Sequence, residues 1–410
     1  MKSNIIIGQS GGPTSVINST LCGVIQTTLK SNKFGKILGM QYGIEGFMND
    51  EIIDLGKESP AIIKDLRKTP SSALGSCRHK VKDEDFPKIF RQIKKHNIRY
   101  LFLIGGNDTM DTIHRVEEYC RKSGYEFVGI GLPKTVDNDL FGTDHTPGYP
   151  SAARYVALSV QQAGRLTRDM QRVDKFVIFQ TIGRESGWLP AASALAKKEE
   201  QDAPHLIYIP ERRLNIDKFL FDVKTCIKNY GWVSIVCGEG ILLEDGTPVS
   251  ASLTKDKFSN IEFGAMGGTS AAINLHKIIS SDTGFRGEFQ ITESLSMCAI
   301  DRASKVDLKE AYECGVKAVE LAIQGKTGVM VSIKRVSSNP YKVKYETVPL
   351  KEVAVKAKPM DDKYINKEGN FVTKEFIKYA APIIGEINEY IDLKRLKPQS
   401  AQKEKITKNK

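Results

Sequence analysis

The chain has 410 residues, with 60 Lys and Arg against 49 Asp and Glu, which gives a net charge of +11. The hydrophobic fraction of 40% and the charged fraction of 27% are typical of globular proteins and argue against wholesale disorder. No apolar run approaches the roughly 20 residues that span a bilayer. Early glycines in MKSNIIIGQSGG argue against a signal peptide, and seven scattered cysteines without C-x-x-C spacing favour a reducing, cytoplasmic location.

The positive charge is unevenly distributed. Residues 393–410 carry a net charge of +6, which leaves only +5 for residues 1–392. This polar segment has neither aromatic residues nor an apolar period, so we expect a basic, disordered tail. The charge by itself is compatible with nucleic acid, a membrane surface or a small anionic substrate as the partner.

One unit recurs in chain order: a short apolar run, a glycine-containing turn and a helix-like stretch. The strand-like runs are Asn4–Ile7, Tyr100–Ile104, Phe127–Ile130, Lys175–Phe179, His205–Ile209 and Trp232–Cys237. Because these runs are continuously apolar, we expect strands that are buried on both faces of parallel sheets. A helix is predicted over 150–171, after the turn-rich segment FGTDHTPGY, where the chain would cross between domains.

The predicted fold class is α/β, with two doubly wound, Rossmann-like domains and the active site in the cleft between them. The first domain would comprise residues 1–142 and be rejoined by about 288–392. The second would comprise residues 143–287. In such folds ligands bind where loops leave the carboxyl ends of the strands.

Two glycine-rich loops follow predicted strands. Residues 8–14 read GQSGGPT, and small residues there would let a phosphate approach the backbone and the next helix N-terminus. This loop matches neither the dinucleotide fingerprint nor the Walker pattern, and a tight turn would also need glycine. The second loop contains Gly106, Asn107 and Asp108, whose side-chain oxygens suit magnesium. Together the loops favour a site for polyphosphate and metal.

An acidic turn, PKTVDND, spans 133–139 and combines a cation, a hydroxyl and two carboxylates. A carboxylate here could remove a proton from an attacking hydroxyl while Lys134 neutralises charge on a transferring phosphoryl group. The alternative is a turn whose side chains only cap the next helix.

Six motifs in register resemble those of phosphofructokinases. They are GQSGGPT, GS-x-R at 75–78, GGNDT, PKTVDND, IGR-x-x-G at 182–187 and PE at 210–211. The resemblance covers residues 1–240 closely and extends more loosely to about 335. It implies magnesium-dependent phosphoryl transfer to the 1-hydroxyl of fructose 6-phosphate, by a homodimer or homotetramer.

The resemblance also implies roles for individual residues. Asp137 would be the base, Lys134 and Asp108 its catalytic partners, and Asn107 and Asp108 the metal-side residues. The expected donor contacts are Gly12, Arg78 and Gly106. The expected acceptor contacts are Thr135, Asp139, Ile182, Gly183, Arg184, Glu211, Lys175 and Arg286, the last two holding the 6-phosphate, with one of them across a subunit boundary.

The phosphoryl donor is predicted from two positions. Enzymes of this family that use ATP carry glycine where this chain has Asp108 and Lys134, whereas the pyrophosphate-dependent branch carries these residues. A negative side chain at 108 would occupy space that the α-phosphate of a nucleotide needs. Lys134 would supply a fixed positive charge to a small, highly charged donor. We therefore predict pyrophosphate as donor.

The chain departs from the family pattern in three places. Asn107 replaces an aspartate on the metal side and is a weaker magnesium ligand, while Ile182 replaces a methionine of similar volume. The C-terminal motif with Gln-Arg that binds the sugar phosphate is not recognisable, and the corresponding stretch offers Arg286, Glu293 and Arg302. A related acceptor such as sedoheptulose 7-phosphate therefore stays open.

Three other functions remain as alternatives. The first is an ATP-dependent enzyme that tolerates Asp108 and Lys134. The second is a non-catalytic regulatory homologue that binds sugar phosphates, suggested by Asn107 and the altered C-terminal motif. The third, nucleic-acid binding, depends only on the net charge, and no nucleic-acid-binding module accompanies it. We expect no nucleic-acid or membrane partner.

Overall fold

The structure is a computed structural model that describes residues 2–250 and 269–392, so the predicted basic tail lies outside the described residues. None of the helices within these ranges is both long and apolar enough to cross a membrane. The strands are β1 (Asn4–Gln9), β2 (Ile37–Met40), β3 (Ile52–Asp54), β4 (Ile98–Gly105), β5 (Val128–Pro133), β6 (Asp174–Thr181), β7 (Leu206–Tyr208), β8 (Val233–Gly238), β9 (Arg286–Ile291), β10 (Val329–Ser338) and β11 (Tyr341–Pro349).

Helices cover the faces of the sheets and make up most of the connections. They are α1 (Ile17–Leu29), α2 (Gly43–Met48), α3 (Pro60–Leu66), α4 (Phe86–Lys95), α5 (Asn107–Lys122), α6 (Tyr149–Asp169), α7 (Trp188–Ala192), α8 (Ile216–Tyr230), α9 (Ala271–Thr283), α10 (Leu295–Cys298), α11 (Lys305–Ile323), α12 (Leu350–Val355) and α13 (Lys374–Ile384). The predicted strand–turn–helix units and the long helix near 150–171 are confirmed.

In the described residues the larger sheet has the order β11-β10-β5-β4-β1-β2-β3. Its centre is parallel, and antiparallel strands β3 and β11 lie at the two edges. Strand β1 shows why the apolar run predicted a doubly covered strand: Ile5 and Ile7 pack into one buried cluster and Ile6 into another on the opposite face. Strand order reverses between β1 and β4, which opens a crevice at their carboxyl ends.

The smaller sheet has the order β7-β8-β6-β9 and all its strand pairs are parallel. Phe176 and Ile178 pack on one of its faces and Phe179 on the other. Strand β9 belongs to this sheet, so the predicted boundary between 287 and 288 cuts a strand. We place the boundary after Ile291, because the chain then leaves for α11, which packs against α1 of the larger sheet.

The segment that crosses between the sheets is held by a buried acid from α11. The carboxylate of Asp307 accepts hydrogen bonds from the backbone N–H groups of Gly148 and Ser151, both at 3.0 Å, and from the Ser151 hydroxyl at 2.6 Å. These N–H groups belong to the first turn of α6, which has no partners of its own for them. A residue distant in sequence therefore caps α6.

One turn further along α11, Glu310 forms a buried ion pair with His145. The His145 ring is fully buried and bonds Glu310 at 2.6 Å through Nε2 and Asp144 at 2.9 Å through Nδ1. Burial by itself would lower the pKa of His145, but the hydrogen bonds to two carboxylates outweigh it and raise the pKa to about 9. The imidazolium thus ties the crossing segment to α11.

This ion pair predicts a pH-dependent contribution to stability. Because the folded-state pKa of His145 lies above its unfolded value, the contribution is complete below about pH 6.5 and disappears as pH rises through about 9. The variant His145→Gln should have a free energy of unfolding about 3–5 kcal/mol below wild type at pH 6, and a smaller deficit at pH 9.5. Urea unfolding measured at both pH values tests this. His114→Gln, on α5, is measured in parallel as a control for the substitution of a histidine by glutamine. A deficit that stays constant across this range would contradict the prediction.

Candidate active site

The loops that carry the predicted site residues all leave the carboxyl ends of parallel strands. The loops after β1, β4 and β5 lie at one edge of the larger sheet, and those after β6, β7 and β8 lie at one edge of the smaller sheet. Contacts between the acidic turn and the loop after β6 show that these two edges face each other. The structure therefore brings most of the predicted residues into one cleft.

The first glycine loop is bound to the GS-x-R segment. Gly11 has φ of +75°, a conformation that glycine adopts without strain, and its N–H donates to the carbonyl of Cys77 at 3.2 Å. The Ser76 hydroxyl donates to the Gly11 carbonyl at 2.6 Å. A methyl group added to Gly12 would lie 2.7 Å from Cε of Met297, so α10 packs against this loop.

Lys134 lies against the same loop. It is 5% exposed, and a methyl group added to Gly11 would lie 3.1 Å from its Nζ atom. Burial lowers the pKa of Lys134 to about 8, Asp137 and Asp139 oppose this decrease, and Arg78 adds to it. The structure thus groups two carboxylates and a guanidinium around the buried ammonium of Lys134, which lies against the glycine loop.

Asp137 has an unusual electrostatic environment. Burial raises the pKa of its carboxyl to about 7, the neighbouring Asp139 raises it further, and Lys134 and Arg184 lower it. A carboxylate with a pKa near neutrality is suited to proton transfer at physiological pH. Asp137 is therefore the residue of the acidic turn best suited to act as a base.

The Asp137 backbone is held on both sides. Its N–H donates to the Thr135 hydroxyl at 3.1 Å, and its carbonyl accepts from the Ser186 hydroxyl at 2.6 Å. Gly183 has φ of +117°, and a methyl group there would lie 3.6 Å from Oδ1 of Asp137. The IGR-x-x-G loop of the smaller sheet is thus in contact with the acidic turn of the larger one.

Asn138 fixes the turn between the two carboxylates. It is fully buried with φ of +55°, which Asn tolerates better than most residues. Its Nδ2 donates to the Tyr379 hydroxyl at 2.9 Å and its Oδ1 accepts from the N–H of Thr146 at 3.0 Å. Burial raises the pKa of Asp139, while a hydrogen bond from Thr135 lowers it. Thr135 and Asp139 therefore shape this turn.

Glu239 is a site residue that the sequence reasoning did not assign. It follows β8, accepts a hydrogen bond from the N–H of Gly183 at 3.1 Å, and is 8% exposed. Burial raises its pKa to about 7, Glu293 and Asp137 add to the increase, and Arg184 opposes it. The available signal was the sequence GEG at the end of a buried strand, in the same position as the other loops.

Glu211, by contrast, supports the loop rather than facing Asp137. Its Oε1 accepts from the N–H of Gly187 at 2.9 Å, and its Oε2 is buried without a hydrogen-bond partner. Burial raises the pKa of this carboxyl. Ile182, in the same loop, packs on the hydrophobic core of the smaller domain. The acceptor role predicted for Glu211 stays a prediction.

Lys175 and Arg286 are not brought to this cleft within the chain. They begin β6 and β9, at the edge opposite Gly183, and an eight-residue strand is roughly 26 Å long. Arg286 Nε lies 3.3 Å from Asp174, and Lys175 Nζ donates to the carbonyl of Gly231 at 3.4 Å. Their grouping with Asp137 is therefore wrong for a single subunit, since the length of the strand separates them.

The predicted metal-side residues begin α5, directly after Gly106. The Asn107 side-chain amide donates to the carbonyls of Val353 and Lys356, at 3.1 and 3.0 Å. Asp108 is exposed, with Lys80 Nζ at 3.7 Å. Within residues 2–250 and 269–392, no group of three or more His, Cys, Asp or Glu side chains is arranged to hold a metal ion.

Known proteins are similar to this chain in sequence and fold. A family model described as phosphofructokinase matches residues 4–322. The chain is 37% identical over 390 residues to a pyrophosphate–fructose 6-phosphate 1-phosphotransferase of Halomonas elongata, covering 93% of this chain and 92% of that protein. It is 32% identical over 356 residues to a sulfofructose kinase of Alkalicoccus urumqiensis, covering 85% and 88%.

A solved structure agrees with the sequence comparisons. The crystal structure of a pyrophosphate-dependent phosphofructokinase from Marinobacter aquaeolei superimposes with a TM-score of 0.85 at 34% identity, covering 95% of this chain and 94% of that one. The match extends over both sheets and the cleft between them. The chain belongs to the phosphofructokinase family.

Proposed function

We propose that this protein transfers a phosphoryl group from pyrophosphate to the 1-hydroxyl of fructose 6-phosphate, reversibly, giving fructose 1,6-bisphosphate and phosphate. The observation that carries the proposal is the acidic turn, which holds a buried lysine against the glycine loop and, three residues later, a carboxyl with a pKa near 7. The names of the relatives in Halomonas elongata and Marinobacter aquaeolei support it.

In this reaction Asp137 accepts the proton of the sugar 1-hydroxyl, and the hydroxyl oxygen attacks the phosphorus of pyrophosphate that lies nearer to the sugar. The bond from that phosphorus to the bridging oxygen breaks, and phosphate leaves with the bonding electrons. Lys134 and Arg78 stabilise the negative charge that develops on the transferring and leaving oxygens. The positive charge of Arg184 lowers the pKa of Asp137, which favours the ionised form of the Asp137 carboxyl.

Magnesium fits the residues present, although they supply few ligands. Asp108 is exposed and Asp139 is half-buried, so each can offer carboxylate oxygens. Mg²⁺ commonly binds through one or two carboxylates and completes its shell with water and substrate phosphates. Bound there, it would neutralise phosphate charge. The side-chain amide of Asn107 is already used to hold Val353 and Lys356, which leaves Asn107 a minor role.

The preference for pyrophosphate over ATP is assigned to Lys134 and Asp108. The Lys134 ammonium lies beside Gly11, where it meets the charge of a small donor that brings no adenosine to bind. Asp108 carries its exposed negative charge at the start of α5, in the loop that follows β4, and would repel a longer polyphosphate. Both features favour the smaller donor.

Lys175 and Arg286 support a homodimer or homotetramer. Both lie at the edge of the smaller sheet that faces away from the cleft, and Arg286 is 77% exposed. Four exposed apolar side chains accompany them: Met170, Val173, Phe285 and Phe289. An apolar patch next to an exposed arginine and a half-buried lysine suits contact with a second copy, whose cleft these cations would then complete. A cytoplasmic location remains a prediction.

The decisive experiment is an assay of purified protein with pyrophosphate or ATP as donor. Fructose 6-phosphate, sedoheptulose 7-phosphate and sulfofructose serve as acceptors, the last because of the relative in Alkalicoccus urumqiensis and the altered C-terminal motif. We expect turnover with pyrophosphate and fructose 6-phosphate. Activity only with ATP would contradict the donor assignment, and absence of turnover with every pair would favour a regulatory role.

Replacing the proposed base should abolish most of the activity. Asp137→Asn keeps the size and polarity of the side chain but cannot accept the proton, so we expect kcat to fall about 10²–10⁴-fold with little change in KM. Steady-state kinetics in the direction that consumes pyrophosphate measures kcat and KM. Asp111→Asn, on the exposed part of α5, is the matched control and should keep wild-type kcat. A kcat within threefold of wild type for Asp137→Asn would exclude its role as base.

Removing the positive charge at the glycine loop should weaken use of the donor. Lys134→Met preserves most of the buried volume and removes the ammonium, so we expect kcat/KM for pyrophosphate to fall about 10²–10³-fold. Lys122→Met, at the exposed end of α5, serves as control. If pyrophosphate kinetics were equal in the two variants, Lys134 would have no part in donor binding or catalysis.

A further inference from the structure

The segment 357–360 packs along the acidic turn from outside the part of the chain that the family model covers. Ala357 forms an antiparallel bridge with Leu140, and the backbone N–H of Lys358 donates to the Asp139 carbonyl at 2.7 Å. This segment therefore extends the turn that carries Asp137 by one short strand-like contact. It precedes α13 and follows the β10–β11 hairpin, which joins the larger sheet.

The Lys358 side chain crosses beneath the same turn. Its Nζ donates to the carbonyls of Thr143 and Asp144, at 3.1 and 2.8 Å, and lies 5.3 Å from the centre of the Trp188 ring. Asp139, Asp144 and the Arg335 guanidinium are the charged groups that face it. Lys358 thus contacts the chain on both sides of residues 140–142, through its backbone at one end and its ammonium at the other.

The segment is also fixed to the smaller domain. The side chain of Met360 is buried in the hydrophobic cluster of that domain, and its backbone N–H faces the Glu211 carboxylate, which accepts a hydrogen bond from the N–H of Gly187. Residues 357–360 therefore connect the acidic turn with the loop that contacts Asp137 from the other side of the cleft. Displacement of this segment would change the distance between the two loops.

We propose that Lys358 is a positioning residue for phosphoryl transfer, holding the acidic turn in register with the loop after β6 from beneath the cleft. The inference rests on the proposed function, because the geometry that Lys358 maintains is that of Asp137 and its neighbours. The Lys358 ammonium donates its hydrogen bonds to backbone carbonyls, so it acts through the turn and not on a substrate. A misplacement of about 1 Å in such a turn can reduce turnover by 10²-fold.

The test compares Lys358→Met with Lys356→Met in the full-length protein. Lys356 lies two residues away, and its ammonium is 3.0 Å from Glu352 and 4.5 Å from the centre of the Phe141 ring. We expect kcat of Lys358→Met to fall 10- to 100-fold with KM for pyrophosphate and fructose 6-phosphate within threefold of wild type. Lys358→Arg keeps the charge and the hydrogen-bond donors. Its log kcat should therefore lie at least halfway from the value of Lys358→Met to that of wild type.

The outcomes separate this inference from the proposed function. Turnover by wild type together with a kcat of Lys358→Met within threefold of Lys356→Met overturns the positioning role, as does a failure of Lys358→Arg to recover activity. If Lys358→Met does not fold, Lys358→Gln replaces it under the same limits, since glutamine keeps one donor without the charge. Absence of wild-type turnover with any donor and acceptor overturns the proposed function itself, and the positioning role with it.

Discussion

The structure depends on the burial of opposite charges around the acidic turn and the crossing segment that follows it, which together span residues 133–148. Water is largely excluded from Lys134, Asn138 and His145, so each polar group there needs a partner within the protein. The partners come from distant parts of the chain: Glu310 from α11, Tyr379 from α13, and Lys358, whose ammonium donates to backbone carbonyls of residues 143 and 144. The turn carries the chemistry, and the rest of the molecule fixes its shape.

Helix α11 has a central part in this arrangement. It packs closely on α1, where a methyl group added to Gly23 would lie 2.2 Å from the carbonyl of Tyr312. On another face it presents Asp307 to the first turn of α6 and Glu310 to His145. One helix therefore connects the glycine loop, which precedes α1, with the segment that leads into the smaller domain. This explains how two sheets separated along the chain hold their loops at a defined spacing.

The electrostatics of the cleft favours chemistry near neutral pH. Burial raises the pKa values of Asp137 and Glu239 to about 7 and lowers that of Lys134 to about 8. In a buried site of this kind the effective dielectric constant is low, so the charged side chains interact more strongly with a highly charged substrate than they would in water.

Local patterns in the sequence determined much of this protein. The continuous apolar runs predicted doubly covered parallel strands, and the motifs after them predicted Gly12, Lys134 and Asp137 as neighbours, because the carboxyl ends of parallel strands share an edge. Only the tertiary structure placed Lys175 and Arg286 away from the cleft, since a strand separates the two edges of a sheet. The tertiary structure alone identified Glu239 and Lys358, because their roles depend on which segments pack against the acidic turn. A local sequence pattern does not reveal contacts between residues more than 50 positions apart.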